Sequence, residues 1–478
     1  MKKLLGRGKK PFMALFLASA VLWPVRILAD EITLKLGSLG PAGTSATSIV
    51  DTLKDYLKQL AEHTGHKAKL IPYYGGVMGD EPEMNQKAKM GQLDIVTPTV
   101  STLPELAPNI EPLYLPFLIE NYGQYDYVMR QKFLKEVSNQ VYEHGFIVVG
   151  LLTEGMHNMY QYGMAKNPGK TLEQMRARIK GGNWTGTPDE MFYKALGISQ
   201  VSFSVPEGPS AIRMGMANAT LSPAMWVIGT QLYTTNPAVI QPPIRGSSSA
   251  ALITRAKFEA LPWNFKLAFA SAMPAITYFA CGQLRDSHDV FLDAMYKYGC
   301  PKVVLTDQEL KGIKEPCINY RQTYLKENPK KRGSYEILAA ALKDYAATNS
   351  IEKRLFESDP IYKTFPKKVQ KLVQALKAYG ETGDKSKLAS LESENVIENW
   401  RILGLIDASE TLIQKDDPSL LKAWMAIFMP QAFVEEAFSA HMAEMKETFG
   451  KKEALMQRIE EMASFLGSKA YKGYHKGA

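Results

Sequence analysis

From Glu31 to Leu39 apolar and polar residues alternate, which predicts a strand with one buried face. Pro41-Ala42-Gly43-Thr44-Ser45 reads as a turn ending in a helix N-cap. Ile49, Leu53, Tyr56, Leu57 and Leu60 follow at helical spacing. Lys67–Tyr73 is a second strand. It runs into the Gly-rich turn Gly75-Gly76-Val77-Met78-Gly79, a short charged helix, a turn at Met90–Asp94 and a third strand at Ile95-Val96-Thr97. A strand-helix-strand unit of this length is a βαβ crossover and implies a parallel sheet. Ligands gather at the carboxyl ends of strands in such sheets.

The rhythm continues. Val128–Tyr142 reads as a helix, and Phe146–Leu152 has the β-branched, apolar character of a buried strand. Ala177–Lys180 reads as a short strand and Pro188–Leu196 as a helix. Gln200–Phe203 and Ser210–Met216 repeat the pair. A second α/β lobe is therefore expected. Phe258–Gly299 reads as one long helical stretch with a kink at Pro274. Past Gly333 the chain is rich in Lys, Glu, Ala, Leu and Met. Leu372-Val373-Leu376, Trp400-Leu403-Ile406 and Met456-Ile459-Met462-Phe465 have helical spacing, and Gly380, Gly383, Pro418 and Gly450 supply breaks. This region is expected to form four to six helices.

The N-terminus changes the meaning of the charge. Lys2, Lys3, Arg7, Lys9 and Lys10 precede a short apolar run, Phe12–Val25, with a cut expected near Ala29. The run is too short to cross a bilayer, so residues 1–29 read as an export signal; an uncleaved anchor is the other reading. The net charge of +8 drops to +2 once the six basic residues of 1–29 are set aside. The basic balance is then no argument for nucleic acid, and no basic stripe interleaves with aromatics. In an oxidising compartment the three cysteines allow either a Cys300–Cys317 bridge with Cys281 left over or three buried thiols.

Enzyme signatures are sparse. The Gly75–Gly79 turn lacks the Lys-Ser/Thr of a P-loop, and neither G-x-S-x-G nor HExxH occurs. His63 and His66 share a helical turn, but Gly65 lies between them and no third ligand is in sight. Neither a metal nor another cofactor is expected.

The motifs themselves carry a resemblance. G-G-x-x-G-x-E at Gly75–Glu81, M-G-Q-L-D at Met90–Asp94 and L-P-F-L at Leu115–Leu118 resemble the DctP-type periplasmic receptors of tripartite ATP-independent (TRAP) transporters. Gly150–His157, Leu172–Lys180, Glu190–Gly197 (E-M-F-Y-K-A-L-G) and Ala260-Leu261-Pro262 extend the resemblance across Ile32–Asn328. It implies an α/β, two-lobed periplasmic binding protein fold with a long lobe-bridging helix, here followed by an all-α C-terminal extension. The expected parts are residues 30–150 with 236–275 for the first lobe, 151–235 with 276–332 for the second, and 333–478 for the extension.

The resemblance also implies a site. Family receptors hold a ligand carboxylate with an arginine on a second-lobe strand, and Lys180 matches that position. Arg178, two residues away, is expected on the same strand face, so the two would form a cationic wall. The family's D-G-x-E-N-P becomes Asn218–Pro223, where Leu221 and Ser222 replace the polar pair. Trp184 and Trp226 lie near these points and with Tyr73, Tyr74 and Met225 read either as the wall of a more aromatic pocket or as ordinary core. Glu154 and His157 match a polar pocket position, or else form a salt bridge in the hinge. Thr44 and Thr97 end first-lobe elements where ligand oxygens would meet backbone amides. The implied function is capture of a small organic solute, a carboxylate if the cationic wall is in place, and its delivery to integral membrane subunits. The hinge is expected near Leu151 and Asn236. A periplasmic enzyme on a recruited receptor fold is an alternative, as is a scaffold. On the last reading residues 333–478 would self-associate or dock a periplasmic protein.

Overall fold

The computed structural model describes residues 31–63, 66–129, 134–184 and 188–347, with isolated positions between 378 and 435. The export signal and the helices expected beyond 347 lie outside the described residues. The strands are β1 (Glu31–Gly37), β2 (Lys67–Tyr73), β3 (Ile95–Val96), β4 (Phe146–Gln161), β5 (Lys180–Trp184), β6 (Ser199–Phe203), β7 (Ala219–Ser222), β8 (Ala238–Gln241), β9 (Arg245–Thr254) and β10 (Lys302–Val304). The principal helices are α1 (Ser45–His63), α2 (Glu81–Lys89), α3 (Leu134–Glu143), α4 (Leu172–Arg178), α5 (Asp189–Leu196), α6 (Ala224–Gly229), α7 (Trp263–Tyr298), α8 (Asp307–Glu327) and α9 (Arg332–Ala347).

In the first lobe β2, β1 and β3 are parallel neighbours, as the crossover pattern requires. The α1 stripe that faces the sheet is Val50, Leu53, Leu57 and Ala61, all buried. In the second lobe β6, β5 and β7 are parallel. Two antiparallel strands join the halves. β4 and β9 pair from Phe146↔Thr254 to His157↔Arg245, with register shifts between Val148 and Gly150 and between Thr153 and Gly155. Through its carboxyl end β9 completes the first lobe beside β3, and through its own carboxyl end β4 completes the second beside β7 and β8. The result is one continuous sheet in the order β2-β1-β3-β9-β4-β7-β5-β6.

The chain therefore crosses between lobes along β4 and β9. The expected crossing at Asn236 is displaced, because β8 pairs with β4 and β10 on the second-lobe side. Gly155 sits at the second bulge with φ +147, a conformation that side-chain-bearing residues rarely adopt. α7, 36 residues and about 54 Å long, packs on β4, on α1 of one lobe and on α6 of the other. It opens directly after Ala260-Leu261-Pro262, and a separate short helix, Arg255–Glu259, precedes it.

Two sequence expectations are corrected here. Ala177–Lys180 is not one strand, because Thr171 and Gln174 form a capping box that starts α4 and carries it through Arg178. The β-strand begins only at Lys180. The three cysteines are buried and none is in a disulfide, and Cys300 and Cys317 lie in separate core clusters, so the suggested bridge is absent. The helix α9, expected within the extension, packs on the first lobe. α9 buries Leu338, Ala341 and Tyr345 in the first-lobe core, and Gly123 leaves room for the Tyr345 ring. No described helix is long and apolar enough to cross a membrane.

Candidate functional site

A cavity lies between the lobes at the carboxyl ends of the parallel strands. Its walls come from the first-lobe loops (Leu39, Gly40, Pro41, and Thr99, Val100, Ser101), from Glu81 at the start of α2, from the crossover strands (His157, Ser247), and from Trp184, Val205, Pro223, Met225 and Trp226 of the second lobe. Counted as space open to water centres, its volume is about 90 Å³. The lobes touch around it: Ser45 Oγ donates to Met225 Sδ at 3.0 Å, and Gly229 at the end of α6 packs on Pro41.

Each wall has a local cause. Asp80 caps α2, accepting from the Glu81 backbone N–H, which turns the Glu81 side chain inward. Glu81 Oε2 accepts from the Thr99 backbone N–H at 3.0 Å and from the Thr102 hydroxyl at 2.7 Å, whereas Oε1 has no partner. Burial is the main cause that raises this carboxyl from 4.5 to about 7, against the lowering effect of the two threonines. At pH 7 about half of it therefore keeps its proton, where an ordinary glutamate is almost fully ionised.

His157 enters from β4. Strand alternation sends its neighbours Met156 and Asn158 to the opposite face, where a wider open groove of about 680 Å³ runs past Tyr122, Pro242 and Tyr296. The imidazole is 4% exposed, and neither ring nitrogen has a hydrogen-bond partner. Its pKa lies well below the usual histidine range, first through burial and then through the charges of Arg245 and His288.

Trp184 and Trp226 meet edge to face at 4.5 Å between ring centroids, and Phe203 backs Trp184 at 5.3 Å. The Trp184 indole donates to the Leu221 carbonyl at 3.3 Å, so its ring is fixed and its polar end satisfied.

Behind the cavity, Arg245 of β9 is a buried cation. Its Nε donates to Asp189 Oδ1 at 2.7 Å, its Nη2 lies 2.5 Å from the same oxygen, and its Nη1 donates to the Gly246 carbonyl. Burial raises the Asp189 carboxyl while Arg245 opposes the rise. Asp189 sits in the first turn of α5, where the helix N-terminus also favours its charge. The guanidinium lies 5.9 Å from the centre of the Tyr114 ring.

Of the residues named from sequence, His157, Trp184, Met225 and Trp226 are brought together in the cavity wall. Ser222 is fully buried directly before Pro223 and donates to Thr220 Oγ1. Thr44 donates to the Pro41 carbonyl and so braces the loop that forms one wall. Tyr73 at the end of β2 is half-buried against the first-lobe core, and Thr97 donates to the Gly37 carbonyl; neither lines the cavity. Glu154 belongs to β4, and its side chain lies outside the described residues.

The expected cationic wall is not at the cavity. Lys180 is exposed at the amino end of β5, four residues and about 13 Å along the strand from Trp184. Arg178 ends α4, and its Nη1 donates to the Asn167 carbonyl. The strand that was to hold both side chains on one face begins two residues too late. Sequence reasoning missed Glu81, Asp189, Arg245 and Ser247. Glu81 had a signal, as the acidic position of the Gly75–Glu81 motif. Arg245 had a weaker one, a single charge leading an otherwise uncharged strand.

Comparison with known proteins agrees with this architecture. Residues 40–327 match the family described as DctP, bacterial extracellular solute-binding protein, family 7. An uncharacterised protein, YiiZ of Salmonella typhimurium, is 26% identical over 169 residues, which is 35% of this chain and 50% of that protein. A solute-binding protein of Chromohalobacter salexigens is 20% identical over 27% of this chain and 38% of its own length. The chain thus spans half or less of these relatives. Among solved structures, the sugar acid binding protein DctPAm of Advenella mimigardefordensis in complex with galactonate has a TM-score of 0.60 at 15% identity, covering 66% of this chain and all of that one. A TRAP periplasmic solute binding protein of Sulfurospirillum deleyianum with bound succinate has a TM-score of 0.59 at 15% identity and the same coverage. One of Desulfovibrio salexigens with bound orotic acid has a TM-score of 0.58 at 14% identity, covering 65% and 98%.

Proposed function

The chain belongs to the DctP family of bacterial extracellular solute-binding proteins, and we propose that it captures a small organic solute between its lobes and hands it to the membrane subunits of a TRAP transporter. The observation that carries this reading is the composition of the cavity wall: both lobes and both crossover strands contribute to one small space. A solute there touches elements that separate when the lobes part. Its binding energy therefore favours the closed form by the difference in affinity between the two states. The hinge is the β4–β9 pair at the Gly155 bulge, since these strands alone of the sheet pass between the lobes.

No covalent step is needed for this task, and the protein acts as a receptor rather than an enzyme. It works outside the cytoplasm, released after cleavage near Ala29. The region beyond Ala347 serves an association, with a second copy or with another extracytoplasmic protein. The test is calorimetry and small-angle scattering on the exported protein with the solute it carries. Stoichiometric binding with compaction is expected. Turnover of the solute, or an unchanged radius at saturation, overturns the reading. Transport by vesicles holding the membrane subunits should depend on the loaded receptor.

A further inference from the structure

We infer that the cavity takes a solute without net charge, one that offers a carbonyl or hydroxyl to Glu81 and His157 and lays an apolar or flat body against Trp184, Trp226 and Met225. This deepens the receptor reading above and rests on it.

The cavity wall carries no cation among its described residues: none of the fourteen is Lys or Arg. The guanidinium on the crossover strands, Arg245, does not line it and is held by Asp189 through a hydrogen bond from Nε and an ion pair from Nη2, which makes no hydrogen bond of its own. If Arg245 turned to a ligand carboxylate, it would leave Asp189 buried, with its Oδ2 already unpartnered and its counter-charge gone. A carboxylate in the cavity would also lie beside Glu81. Two carboxyl groups sharing such a site cannot both ionise, so one must take up a proton at a cost in affinity.

Unpartnered polar atoms on the lining residues point the same way. Both donors to Glu81 converge on Oε2, which leaves Oε1 as the oxygen to carry a proton outward. His157 has two free ring nitrogens, one a donor and one an acceptor in the neutral ring. Three buried polar atoms without a partner thus belong to two residues that line one cavity, a carboxyl that still holds its proton below about pH 7 and a neutral imidazole. Their complement is a neutral polar group. An ammonium solute would instead require Glu81 to be ionised.

The remaining walls are two fixed indoles, Met225, Leu39, Pro41, Val205 and Pro223. At roughly 10–15 Å³ per water on the same measure, 90 Å³ holds about six to nine non-hydrogen atoms.

Matched probes separate charge from shape. Benzamide against benzoate, and succinamide against succinate, have equal numbers of non-hydrogen atoms and differ in charge. Calorimetry on the exported full chain, stripped of its solute, is expected to show at least one amide binding about tenfold or more tighter than its carboxylate. From pH 6 to pH 8 that affinity should fall about tenfold as Glu81 ionises near 7, and the fall should be absent in Glu81→Gln, whatever its own affinity. A carboxylate that binds tighter than its amide overturns the inference and leaves the receptor reading standing. If none of the four probes binds, mass spectrometry of the solute released from the exported protein decides. An uncharged molecule supports the inference, and a carboxylic acid or an ammonium compound overturns it. A protein that carries no solute and binds no probe fails as a receptor, and the inference falls with it.

Discussion

Gly229 offers the sharpest test of lobe closure, because one methyl group there should act on the closed form and spare each lobe. It is the last residue of α6 and has an ordinary backbone conformation, so alanine is tolerated locally. A Cβ built on it lies 2.7 Å from Pro41 Cγ, 2.8 Å from Pro41 Cβ and 3.2 Å from Thr44 Cγ2. Carbon atoms rest at about 3.5–4.0 Å, so the second lobe must retreat by nearly 1 Å. The proline ring cannot rotate out of the way, and its loop is tied by the Thr44 hydroxyl. Overpacking of this kind costs about 1–3 kcal/mol, which is roughly 5- to 150-fold in affinity. The penalty is absent when the lobes part. Replacing a helical glycine also stabilises both forms by about 0.4–1 kcal/mol. Gly229→Ala should therefore bind more weakly in calorimetry while its unfolding midpoint holds or rises, and scattering should show a larger radius at equal solute concentration. Gly312→Ala in α8, with nothing within 4 Å of the added Cβ, is the control and should gain stability without losing affinity. Equal affinity in wild type and Gly229→Ala would refute the claim that this contact belongs to the binding-competent state.

Three further outcomes are expected. Asp189→Ala leaves Arg245 as an unpaired buried cation and should cost about 3–5 kcal/mol in denaturant unfolding, whereas a surface pair such as Arg255–Glu259 should cost under about 1 kcal/mol. Glu81 holds its proton to about pH 7 when folded, against 4.5 as its ordinary value, so the folded state binds more protons in that window. Its contribution should fall by about 1.4 kcal/mol per pH unit, roughly 3 kcal/mol in all, as pH rises through the window. His157 and His288, whose folded pKa values are lowered, give the opposite slope below 6.5, so the wild type minus Glu81→Gln difference isolates the carboxyl. Ending the chain at Arg332 removes Leu338 and Tyr345 from the first-lobe core and should cost at least about 3 kcal/mol, whereas ending it at Ala347 keeps them; equal melting curves for the two would contradict the packing of α9.

How much of this was legible in the chain follows from the range of the interactions involved. The first-lobe βαβ unit was readable because alternation, Gly-rich turns and capping residues act within a few positions of each other. β2 begins and ends at Lys67 and Tyr73 as the pattern says. The long helix announced itself at Ala260-Leu261-Pro262 for the same reason. The family followed from the order of such local signals. Local signals also misled. Between Arg176 and Lys180 the strand-like run Ala-Arg-Ile-Lys was overruled by a capping box six residues upstream, and the expected cationic wall went with it. Tyr345 looked like part of a separate tail because its partners Tyr127 and Gly123 are more than two hundred residues away. The cavity belongs to the tertiary structure for that reason as well. Glu81, His157, Trp184 and Trp226 span 145 positions, and the strand register that sets His157 beside Arg245 is fixed by a sheet the chain crosses twice. Sequence determined most of the strands and helices and the family to which the chain belongs. Only the folded chain decided that a carboxyl group, and not a lysine, lines the cavity, because burial and distant partners set both the position of Glu81 and its protonation.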